Sequence, residues 1–102
     1  MGLPLHKRSR FLDDYTEIVL RIQEANPVAA HNFCDEVETA LELISTHPEI
    51  ARLAGFPKAP STRTWPLRPY PNYMLLYRVT GNEIILQRLL HGARDLPPLA
   101  GE

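Results

Sequence analysis

Gln23-Glu24-Ala25-Asn26-Pro27-Val28-Ala29-Ala30, residues 23–30, marks the place where one helix stops and the next begins. Asparagine is a favoured N-cap, and proline at the first helical position already holds the required φ and has no amide hydrogen to leave unpaired. Upstream, Phe11, Tyr15, Ile18, Val19 and Ile22 recur at spacings of three and four, predicting a helix from about Arg10 to Ala25 with Ser9 as its N-cap. Asp13, Asp14 and Glu17 fall in its first two turns, where the helix dipole favours acids. Downstream, Ala30, Phe33, Val37, Leu41 and Ile44 form the stripe of a second helix. It runs to about His47, because Pro48 keeps the residue before it out of the α region. With almost no chain between them, the two helices must form an antiparallel hairpin.

The rest of the chain has strand character. A short extended piece, about Leu3 to Lys7, precedes the first helix. Residues 51–63, with Gly55, Pro57 and Pro60, read as a loop. Strands are expected at Thr64–Arg68, Tyr73–Val79 and Glu83–Leu90. In the second of these, Tyr73, Leu75, Tyr77 and Val79 alternate with Met74, Leu76 and Arg78, as in a strand with two different faces. Thr80-Gly81-Asn82 supplies the hairpin turn, and Pro66 implies an edge position or a bulge. The order is β-α-α-β-β-β, an α+β domain with a helical hairpin packed on a small, mainly antiparallel sheet. One domain over residues 1–96 is expected, with Pro97-Pro98 opening a short C-terminal tail, 97–102.

Composition is that of an ordinary globular protein: 102 residues, 44% hydrophobic and 23% charged. No apolar run is long enough to span a bilayer, and Asp13 and Asp14 interrupt any signal-peptide pattern after Lys7, Arg8 and Arg10. The single cysteine, Cys34, can form no internal disulfide and reads as a packing residue, which suits a cytoplasmic protein. The net charge of −1 conceals a split. Residues 1–50 carry four basic and nine acidic side chains, and residues 51–102 carry seven basic and three acidic. The basic half is the one suited to an anionic partner, although the total charge is not that of a general nucleic-acid binder.

No metal-ligand spacing, glycine-rich phosphate loop or nucleophile elbow is present, and no cofactor is expected. His47 reads as a helix C-terminal residue. The arginines are the more pointed signal. Arg78 and Arg88 lie on facing strands and can share a sheet face, Arg68 ends the preceding strand, and Arg94 follows the last one. Such a cluster needs an anion or protein carboxylates to offset its repulsion, with Asp95, Glu83 and the helix acids available. Asp95 reads equally well as a cap for the turn after Gly92.

Asn26-Pro27-x-x-Ala30-x-x-Phe33, His47-Pro48, Leu67-Arg68, Tyr73-x-x-x-Tyr77-Arg78 and Arg88-x-x-His91-Gly92-Ala93-Arg94-Asp95 together resemble the RelE/ParE superfamily of toxins. The resemblance implies the toxin half of a type II toxin–antitoxin module, bound by a small cognate antitoxin. In the RelE branch, which cleaves mRNA on the ribosome, it implies catalytic groups at positions held here by Thr64, Pro66 and Met74. None of these can move a proton or stabilise a phosphorane. Only Arg94 and His91 would remain for such chemistry. The chain is more similar to the ParE branch, whose members inhibit DNA gyrase without catalysis. The resemblance thus implies DNA gyrase as target, with a ribosome-dependent mRNA endonuclease and a degenerate toxin as alternatives. Expected partner-binding residues are Arg68, Arg78, Arg88, His91, Arg94 and Asp95, without sequence-specific nucleic-acid binding by the toxin alone.

Overall fold

The computed structural model describes residues 2–68 and 72–92. Its elements are β1 (Leu5–Lys7), α1 (Ser9–Ala25), α2 (Pro27–Thr46), β2 (Arg52–Leu53), β3 (Arg63–Pro66), β4 (Tyr73–Val79) and β5 (Ile84–His91). The five strands form one sheet in the order β1-β5-β4-β3-β2. Every pair is antiparallel except β1–β5, where the chain returns from β1 through both helices and the other strands to lie parallel beside it.

The helical hairpin forms as its sequence dictates. The Asn26 side chain accepts the Ala29 amide hydrogen at 3.1 Å, and Pro27 opens α2. The start of α1 differs from expectation. Arg8, not Ser9, occupies the N-cap in an extended conformation, and no side chain caps the helix. Ser9 is the first helical residue because the backbone leaves β1 directly into the helix, with the Arg8 amide bonded to the Leu86 carbonyl at 3.1 Å.

Segment 51–63 is less loop-like than its prolines suggest. Arg52 and Leu53 add a short edge strand to β3, and the Arg63 guanidinium donates to the Ala51 carbonyl at 2.6 Å. β3 stops at Pro66, and β2 pairs only with Arg63 and Thr64, so the proline has no ladder bond to break on its outer side.

The core lies between the hairpin and one face of the sheet. Phe11, Ile18, Phe33, Val37, Leu41 and Ile44 pack on Leu75, Tyr77, Ile84, Leu86 and Leu89. The register of β4 and β5 slips by one residue at Leu76/Tyr77: Tyr77 opposes Leu86, while Leu76 opposes Arg88. Gln87 is the extra residue of this bulge, and it lets Leu86 and Leu89, three apart, both face the helices. Tyr77 is fully buried and its hydroxyl donates to the Pro48 carbonyl at 2.8 Å. Burial pushes that phenol's pKa upward.

Phe33 contacts both Tyr15 and Tyr73 edge-on from the centre of this core. Phe33→Ala should therefore cost about 3–5 kcal/mol in urea denaturation, a large share of a small domain's stability. A loss below about 1 kcal/mol would contradict this packing.

Candidate functional site

The end of β5 carries the residues that sequence patterns single out, and its geometry separates them. β1 covers β5 only as far as Leu86. Beyond that point a side chain takes over from a strand. The Asp14 carboxylate on α1 accepts the Leu89 amide hydrogen at 3.0 Å and both Nε and Nη2 of Arg88 at 2.7 and 3.1 Å. One oxygen thus replaces the backbone carbonyl that a neighbouring strand would present, and the pair with Arg88 is bidentate. Arg88 is consequently engaged with a helix acid.

The other expected residues go elsewhere. Arg78 opposes Ile85 on the sheet face turned away from the helices, between Tyr77 and Val79 which face them. Arg68 is exposed just after β3. His91 opposes Tyr73 on the helix-facing side, and its ring meets Tyr73 edge-on at 5.1 Å. It ends a chain of edge-on aromatic contacts running Phe11, Tyr15, Phe33, Tyr73 and His91. Arg94 and Asp95, including the proposed capping role of Asp95, lie outside the described residues, as does the tail at 97–102. The common face expected for Arg78 and Arg88 is thus not a cluster of free cations, because Asp14 draws the Arg88 guanidinium to α1.

Within the hairpin, the Tyr15 hydroxyl lies 3.2 Å from a Glu38 carboxylate oxygen and 3.5 Å from the Cys34 carbonyl. Desolvation first, then the Cys34 side chain and the Glu38 carboxylate, hold its pKa well above the ordinary phenol range, so it is a donor at neutral pH. Gly92 follows His91 with its amide 2.6 Å from the Asn72 carbonyl. A Cβ there would meet the Met74 terminal methyl at 2.8 Å, and that flexible end can yield. The glycine fits a close crossing of β4 and β5.

Thr64, Pro66 and Met74 form a neighbouring group on the face away from the helices. Thr64 is buried and its hydroxyl lies 3.4 Å from the Met74 sulfur. A cavity of about 210 Å³ lies further along this face, where Phe56, Pro57 and Ala59 fold over Leu76 beside Lys58, Gln87 and Arg88. The Thr62 hydroxyl donates to the Gln87 side-chain oxygen at 2.9 Å and ties that loop to the bulge. Among the described residues, no three His, Cys, Asp or Glu side chains come together as a metal site requires, and no helix is long and apolar enough to cross a membrane.

A family profile described as the ParE toxin of the type II toxin–antitoxin system, parDE, matches residues 7–96. The chain belongs to the ParE toxin family. A solved structure described as the chromosomal ParDE toxin–antitoxin system from P. aeruginosa shares the fold, with a TM-score of 0.75. It is 17% identical, and the match covers 88% of this chain and 96% of that one. No curated protein matches the sequence significantly. Membership makes this chain a toxin of a type II system, and the fold expected from the superfamily resemblance is the one found.

Sequence patterns placed Asp14 in the helix dipole and among the helix acids available to the arginines, but did not single it out as a site residue. The signal was there. Asp14 lies three residues after buried Phe11 and four before buried Ile18, on the apolar stripe itself, where a carboxylate needs a partner. Asp14→Ala should destabilise the fold by about 2–4 kcal/mol, a little under a fully buried pair because both side chains keep some exposure. Asp14→Asn should lose about half as much, since it keeps an acceptor for Leu89. Thermal denaturation of the two variants checks the order, and equal Tm values for both variants and the parent would refute it.

Proposed function

We propose that this ParE-family chain inhibits DNA gyrase as a binder, without chemistry of its own, and is held inactive by a cognate antitoxin in the cytoplasm. Family membership supplies the class, and one observation favours binding over catalysis. The positions that the resemblance assigns to mRNA-cleaving chemistry hold Thr64, Pro66 and Met74, packed against one another through the Thr64–Met74 contact. Ribonuclease action without a metal needs a general base, a general acid and a cationic stabiliser. A buried threonine hydroxyl, a proline ring and a thioether supply none of these. His91 packs against Tyr73, which suits anchoring of the strand end better than proton transfer.

Recognition falls to arginines that solvent still reaches, Arg68 exposed and Arg78 half-buried. Arg68 and Arg78, with Arg94 and Asp95 beyond the described residues, are the residues proposed to meet gyrase or the antitoxin. Arg88 and His91 contribute by holding the end of β5 in place. An antitoxin that is acidic where it meets Arg78, on the sheet face opposite the hairpin, fits this arrangement.

Purified toxin added to DNA gyrase in stoichiometric excess should block supercoiling and accumulate cleaved DNA. It should leave ribosome-bound mRNA uncut in primer extension. Intact supercoiling at stoichiometric excess together with cuts in translated mRNA would instead establish the endonuclease alternative, and inertness in both assays would establish a degenerate toxin. Arg78→Glu should weaken antitoxin binding by about tenfold, as loss and reversal of one charge contact implies, with Tm unchanged within about two degrees.

A further inference from the structure

The corner where β1 runs into α1 places His6, Lys7, Arg8 and Arg10 within five consecutive positions, all of them exposed. They line an open cleft of about 670 Å³ whose other side is formed by Gln87 and Arg88 of β5. Arg88 is held by Asp14, but among the described residues Lys7, Arg8 and Arg10 have no carboxylate within salt-bridge distance. The reason is geometric for Arg10. Asp14, four residues on and its natural helical partner, is already taken by Arg88 and Leu89.

The placement runs against what the helix prefers. An α-helix start favours Ser, Thr, Asp or Asn at the N-cap and acids in the first turn. Here the N-cap is Arg8, no side chain caps the helix, and the first turn holds no acid. The first turn of α1 therefore begins without a side-chain cap or an acid, among a cluster of cations. Each feature costs the helix stability, and each becomes favourable once a phosphate occupies the corner, because guanidinium forks and free helix-start amides together match tetrahedral oxyanions.

We propose that this corner is a contact for the phosphate backbone of duplex DNA, made without reading sequence. Cations spread along the cleft, on both strand and helix, suit a run of phosphates better than a single anion. The net charge of −1 supplies no long-range pull, so the contact is local and of modest strength. Its role in toxicity, gripping DNA that gyrase holds, rests on the gyrase reading above, whereas the DNA contact itself does not.

The test is fluorescence anisotropy of the free full-length toxin with a labelled duplex of arbitrary sequence. Three phosphate contacts predict a fall in affinity of about 40-fold between 50 and 200 mM salt. The variant R8D/R10E should bind at least tenfold more weakly, with its salt slope cut to about one third. It should also melt a few degrees higher than the parent, since it gains an N-cap and a first-turn acid. Opposite effects on binding and stability separate a ligand site from a structural one. R8Q/R10Q should show the same loss of binding, to a smaller degree. Unchanged DNA affinity in both variants, or parent binding indifferent to salt, would overturn the proposal. Loss of antitoxin affinity with DNA binding intact would overturn it in favour of a protein-binding corner. If the parent fails to inhibit gyrase, the anisotropy result still decides the DNA contact.

Discussion

The Asp14 carboxylate is the constraint on which the end of the sheet depends. β5 is a central strand for its first three residues and an edge strand for the rest, because β1 stops at Lys7. An open edge carrying Leu89 and Leu90, both buried, would otherwise leave a core strand with unpaired amides. Asp14 closes it from the helix layer, bonding the Leu89 amide and the Arg88 side chain with one group. The bulge at Gln87 brings Leu86 and Leu89 to the same face, while Arg88, opposite Leu76 on the other face, still reaches Asp14 with its guanidinium. Helix, strand and bulge thus hold one another in register.

This arrangement changes the meaning of the C-terminal motif. Side by side in sequence, Arg88, His91, Arg94 and Asp95 suggest a reactive constellation. In the structure Arg88 is committed to Asp14 and His91 to the edge of Tyr73, on different sides of the strand. Their contacts go into holding the end of β5 against α1 and β4. With Thr64, Pro66 and Met74 at the positions the superfamily resemblance assigns to catalysis, this strand end accords with the binding role proposed above.

Much of this was legible beforehand. The helical hairpin follows from Asn26-Pro27 and two clean stripes, and β4 from strict alternation at Tyr73–Val79, so local chemistry and tertiary packing agree there. The bulge was not read from the chain, because Ile84-Ile85-Leu86 and Leu89-Leu90 are apolar runs without alternation and only the pairing with β4 shows Gln87 as the extra residue. Two more things were hidden for a physical reason. β2 has only two residues and no periodicity of its own, so its pairing with Arg63 and Thr64 depends wholly on β3 being there to receive it. The partner of Asp14 lies 74 residues away, and local patterns carry no information about pairings that the fold alone creates. The same distance hid the separation of the arginines, which depended on where that carboxylate would sit.

Amide hydrogen exchange at Leu89 tests the central claim directly. If Asp14 seals the edge of β5, the Leu89 amide should exchange as slowly as its strand neighbours in the parent protein, and at least tenfold faster in Asp14→Ala while the β4 amides facing β5 stay protected. Equal Leu89 exchange in the two proteins would show that the strand end is held by something else.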